Sequence, residues 1–370
     1  MSIQLRSTLG WYLFAATSPL STNAFTVLFN WGTACDALRT FVHSCRLVGA
    51  TGGQGGSVVS AVLKDRSLKI RGITRNPDGE KARSLTAKGI DMVRADLNDE
   101  SSLVKAFEGA YAIFAVTDFF EPFGKMDGDK AAQVEYQQGV NLATAASKTA
   151  SLQHYIWSTL PYSYKLSQGK LTIPHFDGKA RVDEFIKKDR QLLSKTTFLF
   201  YTFFASNLFF PMYNPIFIKS ANKYVLLNPG DPEKTPIASL GDHHTNAGIF
   251  AHSVLINPPK HGTYVKCSVE DFPSMNAYFA KWGSGSGWVA TSQSTAVLQI
   301  PLEQYKALWP KWGDELGVMM IFWELMGEDS WSPLPGDAIV HARELMTEAA
   351  QKELVTTEEA FKATDWTPIF

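Results

Sequence analysis

Cysteine is scarce in this chain, which contains three in 370 residues. Cys35, Cys45 and Cys267 are scattered and odd in number, a pattern that favours neither a disulfide framework nor a zinc site. Unpaired cysteines fit a reducing compartment, so a cytoplasmic location is the expectation. No apolar run in the sequence approaches the ~20 residues that a transmembrane helix needs. We therefore expect no association with a membrane.

The chain also lacks an excess of charge of one sign. Its 35 Lys and Arg residues oppose 36 Asp and Glu residues, for a formal net charge of −1. No basic stripe or groove-reading motif is present either, so no nucleic-acid partner is expected. Acyl transfer has no support, because there is no Gly-x-Ser-x-Gly elbow and no nucleophilic cysteine motif. His243 and His244 lack a well-spaced third ligand, so no metal site is expected.

Acidic residues are nearly absent from the first 46 positions, where Asp36 is the single acid beside Arg6, Arg39 and Arg46. This region has partial features of a signal peptide and of a transit peptide, and neither pattern is clean. We favour an ordinary disordered extension, or a wrongly assigned start of the reading frame, over a targeting segment. Residues 41–46 also make a poor first strand.

A glycine-rich turn is the most informative feature that the chain does have. Apolar residues lead into Gly49, Gly52 and Gly55, and a helix-compatible stretch follows. Glycines at this spacing let the backbone turn sharply and approach a pyrophosphate, which the N–H groups of the helix start then bind. The alternative is a structural glycine turn. The predicted strand that follows, over residues 69–74, favours the cofactor-binding interpretation.

Arg75 stands at the end of that strand, where the chain faces the adenosine ribose. An acid at this place favours NAD by binding the 2′-hydroxyl, whereas an arginine suits the 2′-phosphate of NADP. An ordinary surface cation is the alternative. Asp96 follows the next predicted strand and either accepts a hydrogen bond from the adenine amino group or caps a turn. The cofactor that this pattern predicts is NADP(H).

Predicted strands alternate with predicted helices from residue 47 onward. Such alternation indicates an α/β fold with a doubly wound parallel Rossmann sheet, whose ligands bind beyond the carboxyl ends of the strands. Residues 301–308 and 313–326 are predicted helices of the less regular second half. We predict an atypical N-terminal extension at 1–46, an NADP-binding Rossmann domain at 47–210 with later returns to the sheet, and a smaller mixed α/β substrate or cap region at 211–370.

His175 and Lys179 are four residues apart and therefore share one face of a predicted helix. Short-chain dehydrogenases place Tyr and Lys at this spacing, where the lysine binds the nicotinamide ribose and assists proton transfer by the tyrosine. An imidazole also relays protons near neutral pH, so both residues are candidate catalytic groups. The alternative is a solvated helix face that carries one polar pair.

Together these motifs resemble those of the NmrA-like family, atypical short-chain dehydrogenase relatives that bind NADP. The resemblance extends from residue 47 to about residue 330, and its last segment is its most specific marker. The segments that carry it are Gly49-Ala50-Thr51-Gly52-Gly53-Gln54, Thr74-Arg75-Asn76-Pro77, Thr117-Asp118-Phe119 and His175-Phe176-Asp177-Gly178-Lys179.

The resemblance implies NADP contacts at matching positions of this sequence. A family lysine expected in the helix after the fourth strand is Gln137 here, which weakens one cationic contact. The implied cofactor contacts are Gly49, Ala50, Thr51, Gly52, Gly53, Gln54, Arg75, Asn76, Pro77, Asp78, Gly79, Asp96, Leu97, Thr117, Asp118, Phe119, Gln137, Lys179, Phe204, Ala205, Ser206 and Asn207.

Two functions follow from the resemblance. The first is an NADP(H)-dependent oxidoreductase with a small-molecule substrate, as in fungal members associated with secondary metabolism. The second is a non-catalytic, NADP(H)-binding redox sensor that regulates a protein partner, and His175 in place of Tyr favours it. We favour the first function, because the second half is large enough to bind a substrate and His175 and Lys179 retain acid/base chemistry. A homodimer is a further expectation.

Overall fold

The computed structural model describes residues 43–287 and 294–369, which contain one large and two small sheets. The strands are β1 (His43–Val48), β2 (Leu68–Thr74), β3 (Asp91–Arg94), β4 (Ala112–Ala115), β5 (His154–Thr159), β6 (Thr196–Tyr201), β7 (Phe203–Phe204), β8 (Ile216–Ile218), β9 (Lys223–Asn228), β10 (Ile237–Gly241), β11 (Tyr264–Cys267), β12 (Glu270–Phe272), β13 (Thr295–Gln299) and β14 (Ile339–His341).

Helices connect these strands, and several of them cover the faces of the large sheet. A π-helix, Gly313–Gly317, and several short 3-10 turns complete the chain. The α-helices are α1 (Gly53–Val62), α2 (Glu80–Ala87), α3 (Glu100–Phe107), α4 (Phe120–Phe123), α5 (Gly128–Ser147), α6 (Ser163–Leu166), α7 (Pro174–Lys188), α8 (Arg190–Leu193), α9 (His243–Ile256), α10 (Met275–Gly285), α11 (Leu302–Leu308), α12 (Val318–Met326), α13 (Glu348–Lys352) and α14 (Thr357–Ala363).

The large sheet is parallel, with the order β14-β11-β6-β5-β4-β1-β2-β3. Helices α1 and α9 pack together in one hydrophobic core, and α3, α5 and α7 contribute to another. This arrangement confirms the predicted doubly wound Rossmann sheet. The strand order reverses between β1 and β4, and ligands of such sheets bind outside the carboxyl ends of the strands at that point.

The second half of the chain forms smaller mixed sheets and also returns to the large one. One small sheet has the order β12-β10-β7 and the other β13-β9-β8, and each contains a parallel and an antiparallel pair. Strands β11 and β14 extend the large sheet beyond β6. The domain boundaries given above remain a prediction.

The first strand is better formed than the sequence indicates. Residues 43–46, assigned above to the extension, belong to β1, which pairs with β2 and β4. Arg46 is buried there, and its guanidinium donates hydrogen bonds to Ser44 Oγ, to the Ala106 carbonyl at 3.1 Å and to the Glu108 carbonyl. Those two carbonyls lie at the end of α3, where a helix presents unpaired acceptors and partial negative charge. Residues 1–42, including Cys35, lie outside the described residues.

The carboxyl group of Asp183, in α7, is fully buried against the large sheet. It accepts hydrogen bonds from Trp157 Nε1 at 2.8 Å, Thr159 Oγ1 at 2.7 Å and Tyr264 OH at 3.1 Å. Burial nevertheless raises its pKa to about 7, because desolvation of the charged form outweighs these bonds. The folded state therefore holds a proton that the unfolded state releases at lower pH.

This raised pKa predicts a pH-dependent stability. The stabilisation from protonated Asp183 is complete below the unfolded pKa of 3.8 and is lost as the pH rises to about 7. Asp183→Asn mimics the protonated group, so its free energy of unfolding relative to wild type should rise by about 2–3 kcal/mol between pH 5 and pH 8. Urea titrations at both pH values measure the difference. The exposed Glu303→Gln is the control, and a difference that is constant with pH would contradict the prediction.

Candidate active site

A cleft of about 710 Å³ opens at the carboxyl ends of β1, β2, β4, β5 and β6. Its walls come from the strand tips on one side and from segments of the second half of the chain on the other. Residues of the π-helix and of α12 line the second wall, with Leu316 and Trp323 among them. The cleft thus lies where the order of the Rossmann strands reverses, the expected place for a dinucleotide.

The glycine turn at one end of the cleft is tightly packed. Gly49 has a φ of +65°, a conformation that favours glycine, and its carbonyl accepts the Gly52 N–H at 2.8 Å. A Cβ on Gly55 would lie 2.2 Å from the Gly49 oxygen, so only glycine fits where α1 crosses the turn. No side chain caps the start of α1 at Gly53. Its first N–H groups are therefore suited to bind a pyrophosphate.

Arg75 and Glu121 form an ion pair beside this turn. Arg75 Nη1 lies 2.6 Å from Glu121 Oε1, and the two side chains are 63% and 42% exposed. The hydrogen bond to Glu121 raises the pKa of Arg75, and the charges of Asp96 and Asp118 add to that effect. The cation predicted to bind a 2′-phosphate is present in the cleft wall and is held by a carboxylate.

Lys179 lies in a buried network further into the cleft. Its Nζ is 2.8 Å from Glu135 Oε1, 2.7 Å from Thr117 Oγ1 and 3.0 Å from the Thr117 carbonyl. Thr117 Oγ1 in turn donates to Glu135 Oε1 at 2.8 Å. Glu135 is 0% exposed, and this ion pair fixes the ammonium group at the tip of β4. The sequence analysis does not identify Glu135, although an acid on the Ala/Gly-rich face of α5 is a usable signal.

His175 is bonded to a second buried acid. Its Nδ1 lies 2.5 Å from Glu315 Oε1, and its backbone N–H donates to the same oxygen at 2.9 Å. Since that carboxylate oxygen accepts, Nδ1 carries the hydrogen, and Nε2 makes no hydrogen bond with any described residue. The Phe119 and Phe120 rings flank the imidazole at 5.7 and 5.6 Å between centroids. No local signal pointed to Glu315, which is 140 residues away in the π-helix.

The helix face that carries His175 and Lys179 is buried, not solvated. Each of the two residues is 7% exposed, and both line the cleft. The alternative of one polar pair on a solvated face is therefore wrong. The same helix begins with Pro174 at its first position, where a missing N–H costs nothing and the proline ring favours helical backbone angles.

The structure brings most of the predicted cofactor residues together in the wall of the cleft. Their contacts with a cofactor remain predictions. The residues in the wall are Gly49, Thr51, Gly52, Gly53, Gln54, Arg75, Asp96, Leu97, Thr117, Asp118, Phe119, Lys179, Phe204, Ser206 and Asn207.

Seven predicted contacts lie outside the described wall. Ala50 is 1% exposed and packs in the hydrophobic core instead. Residues 76–79 form a turn that is closed by an internal hydrogen bond, which the Gly79 N–H donates to the Asn76 carbonyl. Gln137 is on the exposed side of α5 and donates to Asn141 at 3.0 Å, whereas Gln138, the next residue, lines the cleft. The seven are Ala50, Asn76, Pro77, Asp78, Gly79, Gln137 and Ala205.

Aromatic side chains dominate the far end of the cleft. Phe120 stacks on Trp312 at 5.8 Å between centroids, and Phe203 meets Trp323 edge to face at 5.5 Å. Nothing in the local sequence distinguishes these rings from ordinary core residues, since their common wall forms only in the folded chain. The aromatic lining residues of this end are Phe120, Phe176, Phe203, Phe209, Phe210, Tyr213, Trp323 and Trp331.

His243 packs against the glycine turn and does not resemble a metal ligand. Its ring stacks on Phe204 at 4.7 Å, and its Nδ1 lies 3.1 Å from Ser206 Oγ. Burial lowers its pKa to about 4. Within residues 43–287 and 294–369, no group of three His, Cys, Asp or Glu side chains has the arrangement of a metal site.

In the same ranges, no helix combines the length and the apolar character needed to span a bilayer.

Comparison with known proteins gives a consistent family assignment. The model of the NmrA-like family matches residues 44–344. The NmrA-like family domain-containing oxidoreductase hkm9 of Aspergillus hancockii is 24% identical over 272 residues, which cover 70% of this chain and 75% of that protein. An NmrA-like family domain-containing protein of Dictyostelium discoideum is 31% identical over 222 residues, 57% of this chain and 67% of that one.

Solved structures show the same fold. The crystal structure of NmrA, a negative transcriptional regulator, in complex with NAD aligns with a TM-score of 0.65 at 19% identity, over 89% of this chain and 96% of that chain. The NADP complex of NmrA aligns with a TM-score of 0.63 at 18% identity, over the same shares of the two chains. Identities at this level show the architecture alone.

Proposed function

The chain belongs to the NmrA-like family, and from that membership we propose that it is an NADP(H)-dependent oxidoreductase acting on a small organic molecule. One observation carries the proposal: two buried polar pairs share a cleft with a glycine turn that fits a dinucleotide. They are the hydrogen-bonded pair His175–Glu315 and the ion pair Lys179–Glu135. Relatives such as hkm9 carry the name oxidoreductase, which supports the same conclusion.

The turn from Gly49 to Gln54 would hold the pyrophosphate, because its backbone is closely packed and the start of α1 is uncapped. Arg75 would bind the 2′-phosphate and Asp96 the adenine. When bound, NADPH supplies the hydride, and the protein has to orient the substrate and deliver one proton.

Lys179 would bind the nicotinamide ribose. Its ammonium group is already fixed by Glu135 and Thr117, so little side-chain freedom would be lost on binding. A hydroxyl group of the ribose would share or replace one of the three oxygen atoms that its N–H groups now face. The ion pair also neutralises both charges inside a site that excludes much of the solvent.

His175 would deliver the proton. Glu315 holds Nδ1–H, which leaves Nε2 as the ring nitrogen available to the substrate. A carboxylate behind an imidazole fixes its tautomer and stabilises its charged form, as in the hydrolase triads. Reduction of a carbonyl, enone or imine consumes one hydride and one proton, and His175 would donate that proton from Nε2 to the oxygen, carbon or nitrogen that becomes protonated.

The second candidate function is a non-catalytic NADP(H)-binding redox sensor that regulates a partner protein. The observation in its favour is His175 at the position where short-chain dehydrogenases have tyrosine. That replacement leaves the elements suited to nucleotide binding in place. A sensor of this kind needs a cofactor-dependent conformational equilibrium and no turnover.

One experiment separates the two functions. Binding of NADPH and NADH to the purified full chain is measured by titration calorimetry, and NADPH oxidation is then followed with a panel of carbonyl, enone and imine compounds. Binding with turnover of any compound supports the oxidoreductase. Binding without turnover across the panel favours the sensor, and failure to bind either nucleotide contradicts both.

A further inference from the structure

The surroundings of Arg75 are unusually acidic for a site that binds a phosphate. Glu121 occupies one guanidinium nitrogen at 2.6 Å, and Asp96 and Asp118 are close enough to act on the same charge. All four side chains line the cleft. A 2′-phosphate carries about two negative charges near neutral pH. It would therefore enter a part of the cleft whose wall carries three carboxylates and one cation.

Lys125 acts on the charge of Glu121 from outside the described wall of the cleft, and within that wall no second cation compensates for these acids. Lys179 is the other Lys or Arg residue there, and it is already bonded to Glu135 at 2.8 Å. Arg94, at the tip of the neighbouring strand, is absent from the lining and lies 3.8 Å from Asp78. The 2′-phosphate would depend on Arg75, whose charge and Nη1 donor are already shared with Glu121.

We propose that Glu121 is a specificity-determining residue, which competes with the 2′-phosphate for Arg75 and so narrows the preference for NADP(H) over NAD(H). The inference rests on the proposed function, since it concerns the same cofactor site. A carboxylate is also the group that accepts a hydrogen bond from a ribose 2′-hydroxyl, so Glu121 opposes one cofactor without opposing the other. The site then binds both cofactors: Arg75 would bind the 2′-phosphate of NADP(H), and the acids would accept a hydrogen bond from the 2′-hydroxyl of NAD(H).

Glu121 is well placed to be tested without harm to the fold. Its side chain is 42% exposed, and the one ion pair that it forms in the described structure is with Arg75. Exposed pairs of this kind contribute little to stability, because solvent screens the two charges. Substitution by glutamine keeps the shape of the side chain and one acceptor oxygen, and removes its charge.

The experiment compares wild type with Glu121→Gln in the full chain, at low ionic strength. Calorimetric dissociation constants are measured for NADPH and NADH, and for the fragments adenosine 2′,5′-bisphosphate and AMP, which differ by the 2′-phosphate alone. We expect NADPH and the bisphosphate to bind about 1.5- to fivefold more tightly to the variant, the range that an exposed ion pair supports. NADH and AMP should bind as before or more weakly. Added salt should reduce this gain in affinity, because it screens the charges.

Glu353→Gln is the matched control, because Glu353 forms an ion pair of 2.7 Å with Lys64, is 52% exposed and is absent from the cleft wall. It should change none of the four constants. An unchanged NADPH/NADH ratio in Glu121→Gln, or an equal loss for both nucleotides, would overturn the inference while leaving the proposed function intact. A wild-type chain that binds neither nucleotide would contradict both.

Discussion

Replacing His175 with alanine is expected to lower the turnover number about 100- to 10,000-fold, the usual contribution of a positioned general acid. The dissociation constant of NADPH should not change, because the imidazole contacts Glu315 and the flanking phenylalanine rings and is not among the groups proposed to bind the cofactor. Single-turnover oxidation of NADPH, with the substrate found in the panel, separates the chemical step from binding.

Two further variants make this prediction specific. Glu315→Gln keeps an acceptor for Nδ1–H and removes the charge behind the ring, so turnover should fall less than in His175→Ala, again without a change in NADPH binding. His252→Ala is the control, since His252 also lies beside a carboxylate, at 3.1 Å from Asp65, and is absent from the cleft wall. Full activity in His175→Ala would remove the imidazole from the mechanism.

The sequence predicts the Rossmann half well because its information is local. Apolar runs end at the glycine turn, at Arg75 and at Thr117, and the alternation of strands and helices allows few other topologies. All three points lie at the carboxyl ends of neighbouring parallel strands, so their meeting in one cleft follows from the predicted topology. The pairing of His175 and Lys179 on one helix face likewise follows from their spacing alone.

The acid that pairs with His175 was not predictable in the same way. Glu315 lies in a segment whose pattern predicts one helix over 313–326, whereas the chain forms a π-helix at Gly313–Gly317 before α12. Single π-turns within helices are frequent at functional sites, and the wider turn here presents Glu315 to a residue 140 positions earlier. Arg46 poses the same difficulty, since its burial depends on the carbonyls of Ala106 and Glu108, about 60 residues away. No local pattern in a single sequence indicates such long-range pairs.

Arg75→Ala is expected to weaken NADPH binding by about 1–3 kcal/mol, or roughly 5- to 150-fold, the value of a hydrogen bond to a charged group. NADH binding should be unaffected, because it lacks the phosphate. The loss in the variant has two parts: the cation disappears, and Glu121, Asp96 and Asp118 remain to repel the 2′-phosphate. Calorimetric titration with both nucleotides measures the two constants.

A matched control tests whether this effect is local. Arg94→Ala removes the same charge from the tip of β3, next to β2, and Arg94 is a similarly exposed residue outside the cleft wall. It should leave both dissociation constants unchanged. Arg75→Lys should lie between wild type and Arg75→Ala, since an ammonium group attracts the phosphate but cannot bind it through two parallel N–H groups. Equal losses of NADPH and NADH binding in Arg75→Ala would mean that Arg75 supports the structure of the strand tip and does not bind the ribose phosphate. The 2′-phosphate would then have no cation in the described cleft that is free to bind it.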